Sequence, residues 1–416
     1  MKIDFTGRIL TIILFLALLT GNTYAGCVGD TTGTDYGCGD TVTESCTFNE
    51  DLNCEGGHGL VIGENNIVID GNGHTLNGVA PGTCEGLGIE RSGIYNKAHD
   101  DITIKNLEIQ NFCTGIYFRS DDEYGDKVER ITIWNCEIHH NGAASGGDTT
   151  TQGIKWLGVF YSTIANNRIH DNTGAGTACT SGGNGIFING VSGYGAWNNT
   201  ITENTIYNNT KGGFFTRMMC VNTTVSHNDV YGNGQGGIIL RCKKTAMHTI
   251  EQNDVHENYG SGIFLGGPDS VIRHNTITNN KNGSAYTGVV GKYGMGVNIG
   301  RNDGSHYNEM ISNTICGNEG VDIEVCVGAT GNTGSENTCD ATLNYDDATA
   351  GSGCTYSCSK PALNGDLNHD GAITPADAAI ALQMAARGEY SVDADMSGDD
   401  RVTSLDALMI LQRSQQ

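Results

Sequence analysis

The middle of the chain repeats one arrangement of positions, apolar-x-x-Asn-x-apolar-x-x-Asn. It is met at Ile164, Asn167, Ile169, Asn172 and at Ile201, Asn204, Ile206, Asn209. It recurs at Val225, Asn228, Val230, Asn233, at Ile250, Asn253, Val255, Asn258, at Ile272, Asn275, Ile277, Asn280 and at Met310, Asn313, Ile315, Asn318. Two earlier stretches keep the apolar positions and change the Asn: Ile104, Leu107, Ile109, Phe112 and Ile133, Cys136, Ile138, Asn141. Most copies are followed by Gly-apolar-x-apolar, as in Gly185-Ile186-Phe187-Ile188 and Gly262-Ile263-Phe264-Leu265. The period is that of short strands broken by Asn and Gly turns, with no helical spacing.

Copies starting at 201, 225, 250 and 272 lie 22 to 25 residues apart. That length suits three short strands and three turns wound into one coil. A lone coil exposes both edges and buries no core, so coils must stack in parallel about 4.8 Å apart. Asn at one corner of every coil predicts an amide ladder, and Gly predicts left-handed corners. The wider gaps predict excursions at about 173–184 and 281–293.

The pattern resembles the right-handed parallel β-helix repeat families, the pectate-lyase-like and NosD-like group. The run Asn66-Ile67-Val68-Ile69-Asp70-Gly71-Asn72-Gly73-His74-Thr75-Leu76 looks like the first coil common there. The resemblance covers roughly 55–340. It implies an all-β fold, a right-handed single-stranded parallel β-helix. For activity it implies only a range, from polysaccharide lyases and glycoside hydrolases to non-catalytic surface proteins.

From Gly365 the pattern changes. Asp366, Asn368, Asp370 and Asp377 stand at loop positions one, three, five and twelve, with Gly371 at six and the Ala372 carbonyl at seven. Alternating oxygens in a tight loop are what a hard cation such as Ca²⁺ requires. The unit returns 29 residues on, with Asp395, Ser397, Asp399, Arg401 (by its carbonyl) and Asp406. Position six is there Asp400, which predicts a weaker or distorted second site. Apolar spacing after each loop predicts a helix. The duplicated loop-helix resembles a type I dockerin. That resemblance implies a small all-α calcium domain at 365–416 that docks to a cohesin-type module. Pro375-Ala376 and Ser404-Leu405 fall where that family selects its partner.

Residues 1–25 read as a signal peptide: Lys2 and Arg8, an apolar run from Ile9 to Leu19, then Thr23-Tyr24-Ala25. A second reading makes Cys27 a lipid anchor. No later segment is long and apolar enough to span a bilayer. Export makes disulfides the default for the 15 cysteines, one of them left over. They cluster at the two ends, giving a Cys-rich cap at 26–54 and a linker at 341–364 in which Cys354 and Cys358 pair. Asn198, Asn208, Asn222 and Asn282 head glycosylation sequons. The net charge of −24 argues against nucleic acid as a partner. Only 17% of residues are charged, so the acidity is local and the chain is not of disordered composition.

Against that charge, one cluster is basic. Two residues after each strand glycine the side chain faces outward: Tyr95, Tyr117, Lys155, Phe187, Phe215, Ile239, Phe264, Asn298. Two further on stand Lys97, Arg119, Leu157, Asn189, Arg217 and Arg241, with Lys243 and Lys244 following. Tyr117, Phe187, Phe215 and Phe264 with Arg119 suit a polysaccharide, an anionic one by the arginines. The lyase resemblance implies Arg217, Arg241, Lys243 and Lys244 as catalytic candidates. Carboxylates of Asp121–Asp126 suit a further cation. No carboxylate pair for a hydrolase stands on these outward positions. His139, His170, Tyr207, Tyr231 and His256 share another outward position, either a transition-metal site or a plain stack. The leading expectation is an exported carbohydrate-active or polysaccharide-binding protein tethered through its dockerin. The alternative is a non-catalytic surface or matrix scaffold.

Overall fold

The computed structural model describes residues 26–79, 84, 91–120, 127–143, 151–174, 182–190, 195–241, 246–283, 293–300, 304–348, 350, 352–358, 364–368, 372–399 and 401–414. The expected signal peptide, the Asp121–Asp126 insertion, Lys243, Lys244 and Asp370 lie outside them.

Each coil contributes one strand to each of three sheets. Coil strands Thr163–Ala165, Arg168–His170 and Ile186–Asn189 enter sheets 1, 2 and 3 in that order. Among the described residues the sheets hold 13, 10 and 12 strands. Nearly all pair in parallel; strand Cys27–Gly29 runs antiparallel at the N-terminal end. Register places like on like: Ile164 pairs with Ile201, Ile201 with Val225, Val225 with Ile250. In sheets 1 and 2, from Val68–Asp70 to Thr314–Cys316, the middle residue of each three-residue strand points inward, and these residues are 0–1% exposed. Truncating one such Ile to Ala leaves a cavity that neighbouring coils cannot fill, at about 2–5 kcal/mol.

The amide ladder is present twice. Asn204 Oδ1 accepts from Asn167 N and Nδ2 (3.0 and 2.9 Å), and Asn228 Oδ1 does the same for Asn204. Asn209, Asn233 and Asn258 run the parallel ladder after sheet 2. Each Nδ2 also donates to a core-strand carbonyl, so the corner peptides are satisfied without water.

The glycines do something other than expected. The left-handed corner between sheets 1 and 2 is occupied by Asn166, Glu203, His227, Gln252 and His274, with φ of 52–56°. Glycine stands instead at the entry to each sheet 3 strand. A Cβ on Gly153 would lie 2.5 Å from the Gly185 carbonyl oxygen, and one on Gly185 would lie 2.8 Å from that of Gly213. Close approach between coils, rather than positive φ, selects glycine there.

Disulfides hold both ends: Cys27–Cys46, Cys38–Cys54 and Cys84–Cys113 at one, Cys316–Cys358 and Cys339–Cys354 at the other. Two expectations change. The Cys27 sulfur is bonded to Cys46, so it cannot carry a lipid thioether. Cys354 and Cys358 reach back to separate solenoid cysteines and do not bridge each other. Cys136, Cys220 and Cys326 take no part in these five disulfides. The domain edges also differ from those expected. Strands Asp40–Val42 and Cys46–Phe48 of the expected cap already pair with solenoid strands. Thr342–Leu343 of the expected linker pairs with Ile323–Val325. Buried Asp347 ends the Asn ladder, accepting from Asn337 N and Nδ2 at 2.9 and 2.8 Å. Burial raises its carboxyl, but donors from Tyr345, Asn337 and Thr355 outweigh that and hold it below the usual range.

At the C-terminus stand helices α1 (Pro375–Arg387) and α2 (Ser404–Arg413). Ala378, Ala381, Ala407 and Ile410 form their core.

Candidate functional site

Three places gather chemistry: the outer face of sheet 3, the outer face of sheet 2 and the C-terminal loops.

On sheet 3 the expected open aromatic column is buried. Tyr117, Phe187, Phe215 and Phe264 are 1%, 4%, 0% and 1% exposed. Phe187, Phe215, Phe264 and Ile239 form an apolar cluster separate from the inner core. Phe187 and Phe215 stack at 5.7 Å and 9°, so their faces meet each other. The turn before the strand comes in close at Gly212, whose Cβ would sit 3.1 Å from Ile239. Tyr117 lies under the Lys155 ammonium, 4.6 Å from the ring centre. These rings cannot offer a face to a sugar as placed.

The basic positions remain nearer solvent. Asn189, Arg217 and Arg241 stand in register on adjacent coils, with Arg217 exposed and Arg241 half-buried. Arg119 lies in the same column, paired with Leu157. Asn189 Oδ1 is buried without a hydrogen-bond partner among the described residues. Open aromatics occur one turn further on: Tyr161 and Trp197 are 54% and 41% exposed, near Met218 and Met219 at 48% and 43%. Tyr161 N donates to the Trp197 carbonyl, and Trp197 packs edge-on against Phe160 at 5.8 Å. Sequence reasoning missed them because it stopped at the strand. Their signal was position: Tyr161 and Trp197 fall three and four residues before the coil's first apolar residue, Ile164 and Ile201.

Sheet 2 carries the five-ring column as a stack. His139, His170, Tyr207, Tyr231 and His256 follow at 4.9, 4.5, 5.0 and 5.0 Å, all within 11° of parallel. Two residues earlier on each strand stands a second column, Glu108, Glu137, Arg168, Thr205, Asp229, Asp254. Each partnered ring reaches the coil before it. His139 Nε2 meets Glu108 at 2.8 Å, His170 Nε2 meets Glu137 at 3.0 Å, and His256 Nε2 meets Asp229 at 3.2 Å. Arg168 donates to the Tyr207 hydroxyl at 2.9 Å. Burial raises Glu108, but Thr75 and His139 outweigh it and keep the carboxyl low. Asp254 is open to solvent yet shouldered by adjoining coils; that partial burial, with Asp229 beside it, raises its carboxyl against the opposing pull of His256. These in-register acids, Glu108 with Glu137 and Asp229 with Asp254, went unnoticed because the search for carboxylate pairs stayed on sheet 3.

In the second C-terminal loop Asp395, Asp399 and Asp406 bring carboxylate oxygens within 4.8 Å of one another, a set that fits Ca²⁺. Asp406 also caps α2: its Oδ2 accepts from Thr403 N at 2.8 Å and its Oδ1 from Ser397 N at 2.9 Å. Asp406 is closed to solvent, though only a thin layer of this small domain surrounds it. Burial raises it, and these bonds bring it down to about 2. Asp377 repeats the arrangement in the first loop, accepting from Leu367, Asn368 and Thr374. Asp366, Asn368 and Ala372 line that loop, and Arg401 N binds Asp399 in the second.

Residues 180–303 match the family model "Right handed beta helix region", 52–240 match "Periplasmic copper-binding protein (NosD)", and 364–413 match "Dockerin type I domain". No curated protein sequence matches the chain. Among solved structures, the Dettilon tailspike protein (gp208) is 16% identical with a TM-score of 0.53, over 73% of this chain and 60% of its own. The DFA-IIIase of Arthrobacter chlorophenolicus A6, without its lid and in complex with GF2, is 11% identical with a TM-score of 0.50, over 69% of this chain and 70% of its own. An alginate lyase from Paenibacillus sp. is 14% identical with a TM-score of 0.46, over 73% of this chain and 90% of its own. The chain thus spans 60% of the length of the tailspike it matches, and likeness at these identities speaks to fold alone. The chain is a right-handed parallel β-helix repeat protein that carries a type I dockerin domain at residues 364–413.

Proposed function

We propose that the protein is an exported, carbohydrate-active component that holds polysaccharide against its solenoid and is anchored in an extracellular complex by its dockerin. A type I dockerin implies calcium binding and docking to a cohesin. Two calcium sites follow from the two loops, with ligands Asp366, Asn368, Asp370, the Ala372 carbonyl and Asp377, and Asp395, Ser397, Asp399, the Arg401 carbonyl and Asp406.

The observation that carries the polysaccharide reading is the register of Asn189, Arg217 and Arg241, with Tyr161 and Trp197 open where the coils turn from sheet 3 toward sheet 1. Guanidinium groups pair with the carboxylates or sulfates of an anionic glycan, and open ring faces stack on sugar C–H surfaces. If the protein turns substrate over, Arg217 and Arg241, with Lys243 and Lys244, are the groups to neutralise a uronate and take its adjacent proton. The burial of Tyr117, Phe187, Phe215 and Phe264 favours the second reading, a non-catalytic scaffold whose coils supply length.

A screen of acidic and neutral polysaccharides in calcium, following unsaturated-uronate absorbance and reducing ends, separates the two. Turnover lost in Arg217→Ala marks an enzyme. No turnover and no retention on any glycan leaves the scaffold. For the tail, calorimetry is expected to show calcium uptake that Asp366→Ala and Asp395→Ala each reduce; uptake unchanged in both would remove the docking reading.

A further inference from the structure

The two columns on sheet 2 obey a rule that allots one ring to one partner of the preceding coil: His139 to Glu108, His170 to Glu137, Tyr207 to Arg168, His256 to Asp229. The rule runs out at the last acid. Asp254 pairs in register with Asp229, but the ring position of the next coil is Thr278, which has no imidazole to offer. Asp254 makes no side-chain hydrogen bond among the described residues. Like charges directly opposite on neighbouring strands are destabilising. At the other in-register pair, Glu108 and Glu137, the charge is shared among Thr75, His139, His170 and Arg168. At Asp229 and Asp254 a single imidazole serves two carboxylates.

We propose that Asp229, Asp254 and His256 form a binding site for a divalent transition cation of the zinc type. One ligand atom from each lies within 4.8 Å of the other two, close enough to converge on one ion with small side-chain adjustment. Three protein ligands of mixed oxygen and nitrogen character leave positions open for water or substrate, the pattern of accessible zinc sites. Calcium is the poorer fit, because it wants six to eight oxygens and this set brings an imidazole. The ligands are held in place. Asp229 and Asp254 sit on adjacent strands fixed by the Asn ladders, and the imidazole is stacked on Tyr231 at 5.0 Å and 11°. Binding turns the Nε2 lone pair to the ion, so the ring proton resides on Nδ1. Asp254 and His256 lie beyond residue 240, outside the stretch matched by the copper-binding family model.

The test uses the full-length protein saturated with calcium, into which zinc is titrated against a chromophoric chelator. The expected result is one zinc per chain, binding at least tenfold weaker in Asp254→Asn and in His256→Gln and unchanged in His139→Gln. Melting without zinc shows that each variant folds, and the zinc-induced rise in Tm should vanish in the first two. Wild-type protein that takes up no zinc overturns the proposal. So does zinc that Asp254→Asn and His256→Gln bind as tightly as wild type, which would place the ion elsewhere.

Discussion

The outer faces of sheets 2 and 3 are built by the same operation and come out differently. On each, register sets one position of every coil above the same position of the next, and aromatic rings stack into a column. On sheet 3 Phe187, Phe215 and Phe264 close against Ile239 and are buried, and Tyr117, under Lys155, is buried as well. On sheet 2 the rings are histidine and tyrosine, each with a polar edge, and Tyr207, Tyr231 and His256 stay partly open. A column in a solenoid is therefore a geometric fact; whether it becomes a second core or a working surface depends on the ring edges and on what packs over them. Stacked rings present edges, which is why neither column offers faces to sugars and why Tyr161 and Trp197, off the columns, matter more.

The strongest way to break this comparison is to remove one ring from each face. Phe215→Ala should cost about 3–5 kcal/mol, the range for a buried aromatic. Tyr207→Ala should cost about 1.5 kcal/mol or less, chiefly stacking. Equal losses in urea unfolding would mean that the two columns do the same work. Between them falls Asn204→Ala, which strips the partner of Asn167 N and should cost about 1–3 kcal/mol by the same measurement. An effect within error would mean that water replaces the ladder.

Acid separates the faces with opposite signs. Glu108 on sheet 2 is held low, so its stabilisation is present above the unfolded value near 4.5 and is lost as pH falls through the lower folded value. Glu324, on the outer face of sheet 3, is raised by burial, so its contribution favours the fold below that value and is lost as pH rises through the folded one. Glu108→Gln should therefore weaken the protein more at pH 7 than in acid, while Glu324→Gln should strengthen it at pH 7. Matching pH profiles for the two variants would contradict the assignment.

Much of the fold was legible because a repeat states its constraint many times. Ile164, Ile201, Val225 and Ile250 define the inner wall, and Asn167, Asn204 and Asn228 define the ladder. The paired loop-helix units at Asp366 and Asp395 were as plain, since the same spacing returns 29 residues on and residues 364–413 match a dockerin. Outward positions were not: alternation says that Phe187 leaves the inner core, but not what then covers it. Glycine misled for a related reason. Its spacing was visible, but the cause, contact between Gly153 and the carbonyl of Gly185, acts across 32 residues of chain. The pairing of Cys316 with Cys358 is likewise a matter of coils meeting in space.

The smallest expected effect on folding carries the largest consequence for function. Arg217→Ala removes an exposed side chain and should shift stability by no more than about 0.5 kcal/mol. The most direct measurement is the affinity of wild type, Arg217→Ala, Arg241→Ala and Trp197→Ala for acidic polysaccharides in calcium. Binding by wild type that falls at least tenfold in each variant, with melting unchanged, is what the account predicts. Binding that all three variants keep, or none by wild type, would contradict it.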